Sequence, residues 1–224
     1  MLKNNSYMKA YLNTIKEDIN VEKCQQIAKI IGGEYDVETN TIDCKGHDVR
    51  FHNDWLNKKG SFDFKLTNTS SYWTNMFNSC YDLKYLPKDF TIPNHVTNID
   101  GAFSHTNLLY LPNNFTIPNN IESCSCTFSC CAWLTRLPES FRISENTKTC
   151  SFMFCNCRAL KYIPEGFTIP DGVEFCMSMF ENCMSLPSLP KSFHIPANSS
   201  CRNIFEGCDN LTFHNPERYM MWEI

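Results

Sequence analysis

Apolar residues in the second two-thirds of the chain recur every 25 to 26 residues, a far longer period than that of a helix or a strand. Five "LP" or "IP" dipeptides end at Pro87, Pro112, Pro138, Pro164 and Pro190. A phenylalanine precedes each of them, at Phe77, Phe103, Phe128, Phe154 and Phe180, and a sixth lies at Phe205. Self-similarity at such a period marks a repeat architecture, so the pattern predicts stacked coils.

Each coil also carries a second phenylalanine after its proline, with an isoleucine two residues further on, and "FTIP" occurs three times. The alternation F-x-I predicts a short strand with two side chains on one face, and the following proline would end that strand. A single coil cannot bury its apolar face, whereas coils stacked about 4.8 Å apart can. We therefore expect a right-handed rod of about six coils.

The first 72 residues lack this repeat and read as a small α+β segment. Residues 20–33 predict a helix that is N-capped by Asn20 and stopped at Gly32 or Gly33, and the apolar spacing over 11–19 suggests a second helical stretch. The segment GEYDVETNTIDCKGHDVRF predicts two or three short strands with turns at residues 39–40 and 45–46. We expect residues 1–72 to form an N-terminal cap or a small domain, 73–213 the solenoid, and 214–224 a C-terminal cap.

The cysteines follow the repeat. Of the fourteen, nine fall into two columns, four residues before the first phenylalanine of a coil or three after it: Cys124, Cys150, Cys176 and Cys201, then Cys80, Cys131, Cys157, Cys183 and Cys208. A buried thiol is a small hydrophobe with a weak donor, which favours a core role. Disulfides between rungs and a metal site remain alternatives, and the metal site would rest on Cys126 and Cys130.

Function in a solenoid is expected in exposed columns filled by unusual residues. The column two residues after the LxxLP leucine holds Tyr85, Tyr110, Arg136, Tyr162, Ser188 and Phe213. Tyrosine and arginine are enriched at the centres of protein interfaces, so its first four members are the candidates. The third coil departs most from the repeat and adds Trp133 and Arg142, which extend the candidate partner-binding set. The alternative is that the tyrosines only stack on one another between coils.

Charge and motifs exclude several function classes. The chain has 20 basic and 24 acidic residues, a net charge of −4, so we do not expect it to bind nucleic acid. No leader or membrane-spanning run is visible, which predicts a cytoplasmic protein of the producing or host cell, with no membrane association. No catalytic, cofactor-binding or metal-binding signature is found. We expect a non-enzymatic protein.

The unit M-F-x-x-C-x-x-L-x-x-L-P-x-x-F followed by T-I-P-x-x-V resembles the BspA-type leucine-rich repeats, especially the 25-to-26-residue variant of mycoplasma-type surface lipoproteins. That resemblance implies a leucine-rich-repeat-like β-solenoid and a protein-binding role, often at a cell surface. Our leading hypothesis is a solenoid that binds another protein through its repeat face, as a phage or mobile-element inhibitor of a host defence enzyme. A BspA-type adhesin, and an enzyme or effector in residues 1–72, are the alternatives.

Overall fold

The computed structural model describes residues 20–46, 49–67 and 69–212. The chain divides into two compact units, one comprising Met1–His47 with Phe64–Thr69 and the other Asp48–Asp63 with Ser70–Ile224. The helical stretch predicted over 11–19 and the C-terminal cap predicted over 214–224 lie outside the described residues.

In the first unit, a helix (α1) occupies residues 20–31 of the described chain. It ends at Gly32, whose φ of 72° is the left-handed conformation that glycine adopts without strain. The N–H of Gly33 donates to the carbonyl oxygen of Ala28 at 2.8 Å and closes the last turn. Cys24, Ile27 and Ala28 form the buried stripe of α1. The helix therefore stops where its glycines predict.

Three short strands complete the first unit: β1 (Glu34–Asp36), β2 (Thr41–Asp43) and β3 (Lys65–Thr67). β1 pairs antiparallel with β2, and β2 pairs parallel with β3. Asn40 and Lys45 adopt left-handed φ values of 51° at the two predicted turns. Ile42 at the centre of β2 is fully buried, so even this small sheet has a core side.

Successive coils of the second unit are joined by a backbone ladder in the segment around the first phenylalanine. In the third coil, four alternate N–H groups donate to the fourth coil over 2.7 to 3.0 Å: Cys124 to Thr149, Cys126 to Ser151, Phe128 to Met153 and Cys130 to Cys155. Parallel bridges link Tyr72, Asn98, Ser123, Thr149, Phe175 and Ser200 in series. The second unit is thus a repeat solenoid.

The strand predicted at F-x-I is wrong. None of the described residues 90–92, 115–117, 141–143, 167–169 and 193–195 is in a strand. The N–H of Phe90 donates to the carbonyl oxygen of Pro87 at 3.0 Å, and Phe115 repeats this with Pro112 at 2.9 Å. Because that N–H closes a turn within its own coil, it cannot extend a ladder to the next one.

Two columns of phenylalanine rings fill the core. In the first column, neighbouring rings from Phe77 to Phe205 are nearly parallel, with centroids 5.2 to 5.9 Å apart. In the second column, rings from Phe90 to Phe193 repeat at 6.1 to 6.3 Å. The two columns meet edge to face, as Phe115 and Phe128 do at 6.0 Å and 68°. Both arrangements are favourable for aromatic rings, so each coil stabilises its neighbours.

Residues 49–63 belong to the same compact unit and imitate a coil. The N–H of Phe51 donates to the carbonyl oxygen of Met76 at 2.6 Å, as Phe77 donates to Ala102 at 2.7 Å. Phe62 stacks on Phe77 with centroids 5.7 Å apart and an interplanar angle of 13°. A 3₁₀ helix over Asn53–Trp55 lies between these two contacts. This segment therefore covers the first coil and continues its aromatic column.

Each coil bends at two residues in the left-handed region. The first column of such residues lies two before the phenylalanine: Asn75, Gly101, Cys126, Phe152, Ser178 and Asn203. The second lies two after it: Ser79, His105, Cys130, Asn156, Asn182 and Gly207. The cysteines at 126 and 130, which the core columns leave unexplained, therefore occupy the two bends of the third coil, with φ values of 56° and 59°.

Candidate protein-binding surface

A second hydrogen-bonded ladder carries the predicted binding column. The N–H of Leu109 donates to Lys84 at 3.1 Å, Thr135 to Leu109 at 3.1 Å and Lys161 to Thr135 at 2.9 Å, each to a carbonyl oxygen. The next residue along each coil is the predicted one: Tyr85, Tyr110, Arg136 and Tyr162. Arg136 and Tyr162 also form a parallel bridge. We call these four side chains the tyrosine column, and the backbone holds them in register.

The tyrosine column combines exposure with stacking. Tyr110 and Tyr162 are 47% and 40% exposed, and Arg136 is exposed as well. Tyr85 is half-buried, and its ring lies against that of Tyr110 with centroids 5.2 Å apart. Stacking between coils thus occurs at one pair, while three of the four side chains still offer polar and aromatic surface to solvent.

Tyr162 is held by a partner in the preceding coil. Its hydroxyl donates to Oε1 of Glu139 at 2.6 Å, a short bond to a carboxylate. That hydrogen bond raises the pKa of the Tyr162 phenol, because losing the proton would place two anions side by side. The phenol is therefore a fixed, neutral donor, and Glu139 is engaged within the surface.

The other two predicted residues have different settings. Trp133 stands 60% exposed on the coil that carries Arg136. Arg142 lies beyond the tyrosine column, and its Nη1 donates to the carbonyl oxygens of Glu139 at 2.9 Å and Phe141 at 2.6 Å. Its guanidinium rests against Gly166, where a Cβ atom would come within 1.9 Å of Nη2. The structure thus leaves Trp133 exposed in the same coil as Arg136 and packs Arg142 onto the next coil.

The cysteine columns are part of the core. The thiol of Cys157 donates to the carbonyl oxygen of Phe128 at 3.1 Å, and four other coils repeat this bond at 2.9 to 3.2 Å: Cys80 to Phe51, Cys131 to Phe103, Cys183 to Phe154 and Cys208 to Phe180. In the second coil Thr106 takes the cysteine position, and its hydroxyl donates at 2.9 Å to the carbonyl oxygen of Phe103 in its own coil, whereas each thiol donates to the preceding coil. The column therefore selects a small side chain that donates a hydrogen bond.

All fourteen cysteines are free thiols in the structure. Within residues 20–46, 49–67 and 69–212, no three His, Cys, Asp or Glu side chains are grouped as ligands for a metal ion. Burial raises the pKa of the Cys131 and Cys176 thiols to about 12, so the neutral thiol dominates at physiological pH. A neutral, buried thiol is neither a nucleophile nor a ready metal ligand.

The sequence reasoning missed exposed residues on either side of the tyrosine column. Tyr81 is 55% exposed, and Lys84, Arg158 and Lys161 are exposed on the same segments of their coils. Reading the neighbouring columns across the repeat would have found them. Elsewhere, Phe152 and Phe175 are 38% and 47% exposed. None of the described residues forms a helix long and apolar enough to cross a bilayer.

Comparison with known proteins gives a limited result. No family model matches the chain, and no curated protein matches it. A leucine-rich repeat protein from Eubacterium ventriosum ATCC 27560 is 20% identical with a TM-score of 0.41, over 67% of this chain and 38% of that one. A leucine rich cell surface protein from Faecalibacterium prausnitzii A2-165 is 17% identical with a TM-score of 0.45, over 82% of this chain and 54% of that one. With TM-scores below 0.5, these two similarities do not support a conclusion about fold or function. The chain spans about half or less of either structure.

Proposed function

We propose that the chain is a non-enzymatic protein-binding solenoid that acts through the tyrosine column and Trp133. The observation that carries this proposal is the register of the column: four interface-type side chains are held on one backbone ladder, and two of the tyrosines are 40% or more exposed. Tyrosine and arginine concentrate binding energy when such a surface is desolvated. Arg142 would support the site by fixing the segment after Phe141.

The proposed architecture is a right-handed, leucine-rich-repeat-like solenoid of about six coils. The proposed segments are 1–72, 73–213 and 214–224, and within the solenoid unit residues 49–63 cover the first coil. The exposed repeat surface is then the place for a partner to bind, because the core columns are consumed by packing. An enzyme in residues 1–72 has no supporting arrangement of side chains among those described.

The setting we favour is the surface of a cell, as a BspA-type adhesin. The repeat unit resembles that family, whose members are often found at a cell surface. No observation on the described residues supports a phage inhibitor of a host enzyme or a cytoplasmic location. Fractionation with protease treatment of intact native cells tests the setting: complete protection of the chain would exclude the surface.

Affinity capture with the full chain tests the binding face. The test variant replaces Tyr85, Tyr110, Arg136 and Tyr162 with alanine, and the control variant replaces four exposed residues elsewhere: Tyr72, His95, Lys148 and Glu174. We expect partners captured by the wild type and the control variant to be lost in the test variant, with both variants folded by circular dichroism. Capture of the same partners by all three proteins would refute the proposed face.

A further inference from the structure

The surface around the tyrosine column has a charge opposite to that of the whole chain. The segments 81–85, 107–110, 132–136 and 158–162 contain four cations, Lys84, Arg136, Arg158 and Lys161, against one acid, Asp82. The entire chain carries a net charge of −4. We call these four segments the basic–aromatic strip. Because the chain as a whole is acidic, the positive charge of these segments does not follow from the overall composition and is specific to the strip.

The cations of the strip are available to a partner. All four are exposed, and no carboxylate within the described ranges forms an ion pair with any of them. The acid at the edge of the strip, Glu139, accepts the hydroxyl of Tyr162 instead. Long cationic side chains on a rigid backbone ladder retain their charge for intermolecular contacts, where complementary charge guides association.

Exposed aromatic side chains share these segments with the cations. Tyr81, Tyr110, Trp133 and Tyr162 are 40% to 60% exposed, and Arg136 follows Trp133 by three residues in the same coil. Aromatic faces and guanidinium groups together recognise extended segments that carry carboxylates, because the rings bind the chain and the guanidinium binds the carboxylate in a bidentate manner. The strip therefore matches a ligand that is both acidic and apolar.

We infer that the partner presents an acidic, extended peptide segment to the basic–aromatic strip. This inference rests on the proposed function and specifies its ligand. Three ladder spacings separate Tyr85 from Tyr162, roughly 15 Å, which is about five residues of extended chain. A long phosphate backbone would extend beyond the strip and meet the glutamates at 139, 145 and 165, which would repel it, whereas a segment of about five residues lies within the strip.

The test uses the full chain and a fluorescein-labelled ten-residue peptide of alternating Glu and Leu, with fluorescence anisotropy at 50 and 300 mM NaCl. The matched ligands are the Lys–Leu peptide and a ten-nucleotide thymidine strand. We expect the acidic peptide alone to bind, with a Kd that rises at least tenfold at the higher salt concentration. Equal binding of the Lys–Leu peptide, or tighter binding of the oligonucleotide, would overturn the inference.

Charge-matched variants locate the site. R136Q/K161Q removes two cations from the strip, and K148Q/K191Q removes two exposed cations from other columns, so both variants have the same net charge. We expect about a tenfold weaker Kd for R136Q/K161Q and a change within about twofold for K148Q/K191Q. Likewise, W133A is expected to weaken binding about fivefold and Y72A to leave it unchanged. Equal effects of each matched pair would contradict the assignment of the strip.

The capture experiment separates the two levels of the proposal. If the acidic peptide does not bind but the tyrosine-column variant loses its partners, the face is correct and the ligand class is wrong. If capture is unchanged in that variant, the binding face itself is refuted, whatever the peptide does.

Discussion

The buried thiols should make the solenoid sensitive to mild alkali. Burial raises the pKa of Cys80, Cys131 and Cys176 to about 12, and it raises the pKa of Cys124, Cys150 and Cys157 in the same direction. Unfolding exposes these thiols to water, where the pKa is about 8.5. The unfolded chain then releases protons that the folded chain retains. The stabilising contribution of these thiols to the free energy of unfolding is therefore fully present below about pH 8, and it is lost as the pH rises through 8.5 toward 12.

The size of this effect follows from linkage. At pH 9.5 each thiol that ionises only in the unfolded chain lowers the free energy of unfolding by about 1.4 kcal/mol, so six lower it by about 8 kcal/mol. That is comparable to the total stability of a typical domain, about 5 to 15 kcal/mol. We expect the solenoid to be close to unfolding at pH 9.5, before most tyrosines and lysines titrate.

Urea unfolding of the full chain in reductant, followed by tryptophan fluorescence at pH 7.5 and 9.5, measures the effect. The control is C131T/C157T, since Thr106 already provides a hydroxyl donor in this column of the second coil. It should recover about 3 kcal/mol of the alkaline loss, because two thiols no longer titrate. A free energy of unfolding that changes by less than about 2 kcal/mol between the two pH values would falsify the picture of a buried, neutral thiol core.

Three further predictions test other parts of the fold. With Ellman's reagent under native conditions, we expect rapid reaction only at the half-buried Cys126, Cys130 and Cys208, and reaction of all fourteen cysteines in urea; rapid native reaction of most of them would contradict the burial. Cys130→Asn should raise the unfolding free energy by about 0.5 to 1 kcal/mol, because asparagine tolerates a positive φ and occupies the same bend at 156 and 182. Cys131→Asn should instead lower it by more than about 2 kcal/mol, because it buries an amide in the core. The opposite order of stability in urea melts would refute the bend assignment. Gly166→Ala and Gly172→Ala should each change the unfolding free energy by less than about 1 kcal/mol, because at residue 166 only the movable end of the Arg142 side chain obstructs a new Cβ and at residue 172 the nearest neighbour is 3.5 Å away; a clearly lower urea midpoint for Gly166→Ala would show that the Arg142 guanidinium is held rigidly.

The sequence was sufficient for features that recur in every coil. Constant spacing predicts that each phenylalanine meets its counterpart, and the rings from Phe77 to Phe205 do stack at 5.2 to 5.9 Å. The same argument predicts buried cysteine columns, and Cys124, Cys131, Cys150 and Cys157 are fully buried. Periodicity identifies which positions share an environment, because identical coils must solve the same packing problem.

Periodicity does not say which segment of a coil forms the ladder. The alternation in F-x-I is typical of a strand, yet the N–H of Phe90 is used by a turn to Pro87. The ladder lies instead where asparagine and glycine recur, at Asn75 and Gly101 in one bend and at Asn156 in the other. Asparagine and glycine favour a left-handed conformation. Their recurrence at the bends is visible when equivalent positions of successive coils are compared, but not when a single coil is read.

The candidate site shows the same division. The register of Tyr85, Tyr110, Arg136 and Tyr162 follows from the repeat and is what the backbone ladder holds. The orientation of Arg142 does not follow, because it depends on Gly166, a residue 24 positions away that leaves room for a guanidinium. Irregular contacts between coils are set by pairs of residues that no single column reveals.

The cluster CSCTFSCC at residues 124–131 illustrates how chemical density can arise from geometry. Cys124 and Cys131 occupy the two core columns, and Cys126 and Cys130 occupy the two bends of the same coil. Each of the four cysteines therefore has its own place in the coil, two in the core and two at the bends, and a common metal ion is not needed to explain the cluster. Because the bends of other coils accept Ser, Asn, Gly, His or Phe, cysteine is one of several side chains tolerated there. The unusual residues of the third coil thus fall into two groups. The cysteines serve the packing and bending of the coil, whereas Trp133 and Arg136 are exposed and are therefore available to a partner.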